Sequence, residues 1–165
     1  MLTLHLRTLD RLADLGRALA KCLCDEPSLR CLLLRGALGS GKTTLTRFLV
    51  EALPGGDGAD ISSPSFTLCN VYPTHPPVFH YDLFRVAGAV PEELCESLEA
   101  GDGVVVVEWA EYLPVACQPQ DFLDICFQVR EDERIVHVAP HGLRSEEIRH
   151  CLQAAYALGK DSRSF

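Results

Sequence analysis

The sequence predicts an α/β fold, a three-layer sandwich in which helices flank a central mixed, mostly parallel sheet. Three observations support it. Cys31-Leu32-Leu33-Leu34 and Val104-Val105-Val106-Val107 are short continuous apolar runs, and a strand that does not alternate must be covered on both faces. Between such runs lie stretches with apolar residues at helical spacing. The first run also feeds a glycine-rich loop, Gly36-Ala37-Leu38-Gly39-Ser40-Gly41, that opens directly into a helical stretch. A length of 165 residues suits one domain able to bury a core, expected over 1–158, with 159–165 a polar, fraying tail.

The elements follow in order. Leu2 to Arg7 alternates apolar and polar, as a half-buried edge strand does. Thr8 or Asp10 can cap the next helix, in which Leu12, Leu15, Leu19 and Leu23 share one face. Pro27-Ser28 marks the turn into the strand at Cys31. Beyond the glycine loop, Leu45, Phe48, Leu49 and Ala52 form a second apolar face. Pro54 to Asp60 reads as a loop, and the Ser/Pro-rich stretch from Ile61 stays loop until Phe66, where a strand begins that runs through Tyr72. Val78 to Asp82 is the return strand of a hairpin, turned by Pro73, Pro76 and Pro77.

Pro91 starts a short helix with Glu92 and Glu93 in its first turn and Leu94 and Leu98 inward. The valine strand ends on Glu108-Trp109. Phe122 to Val129 and Ile135 to Ala139 predict a hairpin across Glu131-Asp132, and Ser145 opens a last helix containing Ile148, Leu152 and Tyr156.

The loop fits G-x-x-x-x-G-K-[ST] from Gly36 to Thr43, the P-loop pattern, which makes the expected architecture P-loop NTPase-like. A loop wrapped around a polyphosphate points backbone N–H groups inward, and the helix behind it adds unpaired amides and a positive dipole end. Gly36, Leu38, Gly39, Ser40, Gly41, Lys42, Thr43 and Thr44 are therefore the expected nucleotide-binding stretch. Lys42 would reach the β- and γ-phosphates and the Thr43 hydroxyl would ligate Mg²⁺. In an open α/β sheet, ligands sit at the carboxyl ends of the strands. Glu108 ends a buried strand at that edge, where an unpaired carboxylate is costly and a metal ligand is not.

Composition narrows the function classes. Net charge is −8, with twelve Arg against three Lys, a poor balance for holding nucleic acid by phosphate neutralisation alone. No run approaches the ~20 apolar residues of a membrane span, and no secretory signal precedes His5, Arg7 and Asp10. The eight cysteines show no C-x-x-C pair. They read as reduced, structural thiols of a cytoplasmic protein. An [NT]-K-x-D guanine motif is absent, which argues for ATP over GTP.

Four blocks together carry a resemblance: Gly36 to Thr44, Ser63-Pro64-Ser65-Phe66-Thr67-Leu68, His80-Tyr81-Asp82-Leu83-Phe84-Arg85 and Val105-Val106-Val107-Glu108-Trp109. In order and spacing they resemble the bacterial TsaE (formerly YjeE) family. The resemblance implies a Mg²⁺-dependent ATPase, slow alone, that supports TsaB and TsaD as they transfer a threonylcarbamoyl group to tRNA adenosine beside the anticodon. tRNA would then be reached through those partners, not held by this chain.

Residue by residue, Lys42 matches the phosphate-binding lysine, Thr43 and Glu108 the magnesium ligands, and Trp109 a tryptophan beside the nucleotide. Ser63, Pro64, Ser65, Phe66 and Thr67 match a switch-like loop. Asp82 matches the acid of the H-x-D block, either orienting the attacking water or completing the metal shell. Lys42, Asp82 and Glu108 are thus the expected catalytic set. Ser65 stands where the family commonly has Thr, and Phe84 where it commonly has Tyr, so no role rests on a phenol there. His80 by itself reads as an ordinary strand histidine, and Arg85 either pairs with a carboxylate or faces a partner. Two rivals remain on the same fold: a small-molecule kinase, which would need an arginine-bearing lid, and a nucleotide-gated assembly factor in which ATP binding is the signal.

Overall fold

The computed structural model describes residues 1–25, 29–86, 90–131 and 133–161, with side chains in the last helix as far as Tyr156. Seven strands form one sheet in the order β1-β7-β6-β2-β5-β4-β3. They are β1 (Leu2–Leu6), β2 (Cys31–Arg35), β3 (Cys69–Tyr72), β4 (Val78–Asp82), β5 (Val104–Glu108), β6 (Phe122–Val129) and β7 (Arg134–His141). Four helices accompany them: α1 (Leu9–Asp25), α2 (Lys42–Ala52), α3 (Glu92–Ala100) and α4 (Leu143–Asp161). The fold is α/β, as expected.

The sheet is mixed but not mostly parallel. Only β6, β2, β5 and β4 run parallel, giving three parallel pairings, and three antiparallel pairings flank them. The reason lies in the connections. Tight hairpins join β3 to β4 and β6 to β7, and a hairpin can only be antiparallel. The parallel strands are joined by longer crossovers, through α2, through α3, and from β5 to β6 through the short helical turns Ala110–Tyr112 and Val115–Cys117.

The continuous apolar runs are buried throughout: Cys31 to Leu34 and Val104 to Val107 are each no more than 3% exposed. One side of the core joins Leu32, Leu34, Val104 and Val106 to Leu15 and Leu19 of α1, Leu45 and Leu49 of α2, and Ile148 and Leu152 of α4. The other joins Cys31, Leu33, Val105 and Val107 to Leu94 of α3 and to Leu113. Each such side chain removed from water contributes about 1.5–3 kcal/mol, so the central strands are the most strongly held part of the sheet.

Most elements stand where the sequence puts them, with local differences. The Thr8 hydroxyl accepts from the Arg11 N–H at 3.3 Å, so Thr8 is the cap of α1. In α2, Ala52 is exposed and Val50 and Leu53 complete the buried face. The strand expected from Phe66 begins only at Cys69. The Leu68 N–H donates to the Pro64 carbonyl at 2.6 Å and Leu68 has φ 65°, so the chain turns through this stretch before it can pair. Backbone helix continues in α4 to Asp161. The turn assigned to Pro27-Ser28 lies outside the described residues, as does Asp132 in the second hairpin.

One expectation about cysteine is overturned. Cys22 of α1 and Cys151 of α4 form a disulfide across a sequence separation of 129 residues. The two helices pack on the same side of the sheet, which brings thiols together that have no shared local motif. The other six cysteines are free thiols. Among the described residues, no helix is long and apolar enough to cross a membrane.

Candidate functional site

Parallel register decides what gathers at the carboxyl edge of the sheet. Leu34 lies opposite Glu108 across β2–β5, and Asp82 lies opposite Glu108 across β4–β5. The glycine loop leaves β2 one residue later, so loop and acids share one cleft of about 460 Å³. That volume suits a small-molecule ligand. Leu38, Gly39, Ser40, Gly41, Lys42, Thr43, Thr44, Ser63, Ser65, Asp82, Glu108 and Trp109 line it. Of the residues singled out from sequence, Gly36, Pro64, Phe66 and Thr67 do not.

Gly36 shows why the loop needs glycine. It sits at φ 135°, and an added Cβ would lie 2.8 Å from the Phe127 carbonyl oxygen, so both conformation and space exclude a side chain. Gly41, at φ 114°, is the N-cap of α2 and offers no side-chain acceptor to the first amides. Those N–H groups therefore face the cleft with the positive end of the helix dipole behind them. The arrangement suits an anion.

Lys42 is buried to 4% exposure. Its ammonium donates to the carbonyls of Gly36 at 2.7 Å and Ala37 at 3.0 Å, and lies 4.0 Å from the centroid of the Trp109 ring. Burial pulls its pKa below the ordinary lysine value, while the charges of Glu108, Glu111 and Asp82 push the other way. The three acids partly offset the burial of the ammonium. Trp109 is held in the left-handed region at φ 58°, which costs a non-glycine residue about 1–3 kcal/mol. That backbone turns the indole back over Lys42, where Phe84 packs on it at 4.7 Å between ring centroids.

The acids are each engaged. Glu108 is 2% exposed; its Oε2 accepts from the Thr43 hydroxyl at 2.9 Å and its Oε1 from His80 Nε2 at 2.8 Å. Asp82 accepts from the Ser63 hydroxyl through Oδ2 and from the Phe84 N–H at 2.9 Å through Oδ1. Ser63 thus ties the loop between α2 and β3 to an acid on β4. Further along that loop, Thr67 bonds Asn70 at 3.1 Å, and Phe66, 81% exposed, carries the Arg85 guanidinium 4.3 Å above its ring.

The oxygen-only pair of Thr43 and Glu108 suits Mg²⁺, a hard ion usually bound through one or two carboxylates, waters and substrate phosphates. Among the described residues no three His, Cys, Asp or Glu side chains form a preformed cation cage. A Mg²⁺ site completed by phosphate does not need one.

Two contributors escape a sequence reading. Arg134, at the start of β7, lines the cleft and donates to the Ser40 carbonyl at 3.1 Å from 94 positions away. Nothing local to Arg134 signals this. His80, expected to be an ordinary strand histidine, is instead fully buried against Glu108. Its position two residues before Asp82 on the same strand face was the available clue.

Known proteins of one family are similar to this chain. The family model described as "Threonylcarbamoyl adenosine biosynthesis protein TsaE" matches residues 6–136. The tRNA threonylcarbamoyladenosine biosynthesis protein TsaE of Streptomyces coelicolor is 43% identical over 103 residues, 59% of this chain and 66% of that protein. The protein of the same description from Bacillus subtilis is 33% identical over 117 residues, 70% of this chain and 72% of that one. The aligned stretch spans just under two thirds of the Streptomyces protein and 57% of its Aquifex aeolicus relative. A crystal structure of Bacillus subtilis YdiB superposes with a TM-score of 0.69 at 25% identity, covering 93% of this chain and 94% of that one. The family match runs from β1 into β7 and takes in every residue that lines the cleft, so this chain belongs to the TsaE family.

Proposed function

We propose that this chain is a Mg²⁺-dependent ATPase subunit of tRNA threonylcarbamoyladenosine biosynthesis, a P-loop NTPase-like three-layer sandwich that acts on tRNA through TsaB and TsaD. The observation that carries the reading is the meeting of Lys42, Thr43 and the buried Glu108 in one cleft at the N-terminus of α2. The functional unit is residues 1–158, working in the cytoplasm.

Phosphoryl transfer needs positioning and charge neutralisation more than covalent help. The amides of Gly39 to Thr44 and the Lys42 ammonium bind the phosphates; Lys42 exchanges its two carbonyl acceptors for phosphate oxygens. Thr43 and Glu108 would hold Mg²⁺, directly or through water, and the ion when bound would supply charge that offsets what develops on the phosphates. Asp82 would orient the attacking water or help to hold the metal. Trp109 covers the phosphate end and excludes bulk water.

The Ser63–Asp82 bond favours a coupled switch. A change at Asp82 during turnover releases or re-forms the hold on Ser63, and the loop from Ser63 to Thr67 transmits it to a docked partner. The test is reconstitution of threonylcarbamoyl transfer to tRNA with TsaB and TsaD, with and without this chain. Equal product in both arms would sink the proposal.

A further inference from the structure

Glu108 lines the cleft, and His80, buried against it, lies behind and does not line it. His80 sits opposite Val106 in the β4–β5 register, one pleat before the Asp82–Glu108 pair. Alternation along parallel strands therefore sets the imidazole on the same sheet face as both acids. It is fully buried, and its Nε2 donates to Glu108 Oε1 at 2.8 Å. The other ring nitrogen, Nδ1, is buried without a hydrogen-bond partner among the described residues. The Tyr72 ring lies 6.2 Å away, tilted, and supplies packing only.

A buried imidazole with an orphaned nitrogen is unfavourable relative to an apolar residue of similar size, because the nitrogen loses its hydrogen bond to water and gains none. Among the described residues its one hydrogen-bond partner is Glu108. Packing alone would be served better by Leu or Phe, so the polarity is directed at the carboxylate. With Oε1 held from behind, turning the Glu108 carboxylate would break that bond, which favours the orientation in which Oε2 faces Thr43 and the cleft. Outer partners of this kind commonly set the orientation of carboxylate and imidazole ligands to metals.

We propose that His80 is a positioning residue, one that orients Glu108 for the cation that accompanies the nucleotide. The proposal rests on the Mg²⁺–ATP reading of the cleft, and its test separates the two. Gln places an amide nitrogen near the reach of the imidazole Nε2, whereas Asn stops short of it with the same chemistry. Fluorescence of Trp109, the single tryptophan, reports ATP binding at equilibrium, titrated once with EDTA and once across a Mg²⁺ series.

In His80→Asn and His80→Leu, the Mg²⁺ concentration for half-maximal response should rise about tenfold or more, while ATP affinity in EDTA stays within about twofold of wild type. His80→Gln should restore most of the Mg²⁺ response. If Leu prevents folding, the Asn and Gln pair carries the comparison, each checked by its unfolding midpoint. Wild-type Mg²⁺ dependence in folded His80→Asn would overturn the positioning role and leave the nucleotide reading intact. Equal losses in Asn and Gln, present also in EDTA, would assign His80 to packing and overturn it likewise. No Mg²⁺ dependence in wild type would overturn both.

Discussion

The ammonium of Lys42 lies 4.0 Å from the centroid of the Trp109 ring. A cation over an indole face gains about 0.5–2 kcal/mol, and here the same cation also holds two P-loop carbonyls. On the proposed reading, phosphates bound by Lys42 would draw it out of those contacts. Nucleotide binding and the surroundings of the single tryptophan are therefore linked.

ATP should change Trp109 emission, and Lys42→Ala should weaken ATP binding by about tenfold or more, the loss of one charge-assisted contact of about 1.5–3 kcal/mol. GTP should bind less tightly than ATP. Fluorescence titration with both nucleotides checks these points, and equal affinities would count against the preference.

Glu108→Ala should lower Mg²⁺-dependent hydrolysis by about a hundredfold while nucleotide affinity changes by no more than about threefold, because charge neutralisation matters most as the phosphates react. Asp82→Ala should behave similarly and also free Ser63. Single-turnover hydrolysis, with and without TsaB and TsaD, measures both. Normal rates in both variants would mean the acids are misassigned.

Docking to TsaB and TsaD should depend on ATP. Ser63→Ala removes the hydroxyl that bonds Asp82 and should weaken docking at least severalfold while leaving nucleotide affinity unchanged, since only a loop whose conformation follows the nucleotide can signal it. At a net charge of −8, the isolated chain should bind tRNA weakly. Sedimentation in apo, ADP and ATP states, with a parallel tRNA-binding assay, tests this; tight tRNA binding by the chain alone would contradict it.

Removing the Cys22–Cys151 crosslink, which spans 129 residues, should cost about 2–4 kcal/mol of stability. Cys151→Ser and reduced wild type should share one urea midpoint, below that of oxidised wild type. Identical midpoints in all three would show that the bond contributes nothing to stability in solution.

Burial raises the Tyr81 phenol to about 12, and its hydrogen bond with Ser97 acts in the opposite direction. The unfolded value is about 10. The folded state then holds its proton longer than the unfolded one, so this contribution to stability is complete below about pH 10 and is lost as pH rises toward 12. Thermal unfolding from pH 8 to 11 should show a decline that is shallower in Tyr81→Phe.

Local chemistry made much of this protein legible. The glycines at 36, 39 and 41, the apolar spacing in α1 and the four valines of β5 act within a few residues of themselves, and each reports its own burial or turn. Leu12, Leu15, Leu19 and Leu23 could be assigned to a core from spacing alone because a helix repeats every 3.6 residues. Periodicity says that a face is buried, not what covers it. The balance of parallel and antiparallel pairings, the contact of Arg134 with Ser40, the disulfide between α1 and α4, and the bond from His80 to Glu108 all join segments between 28 and 129 positions apart or depend on strand order. Such partners are chosen by the topology that the buried strands impose. The sequence determined that a P-loop pattern precedes a helix and that an acid ends a buried strand at the same edge of the sheet; the tertiary structure alone decided that Arg134 reaches that cleft and that a histidine holds the acid from behind, because distances across the sheet follow from strand register and not from spacing along the chain.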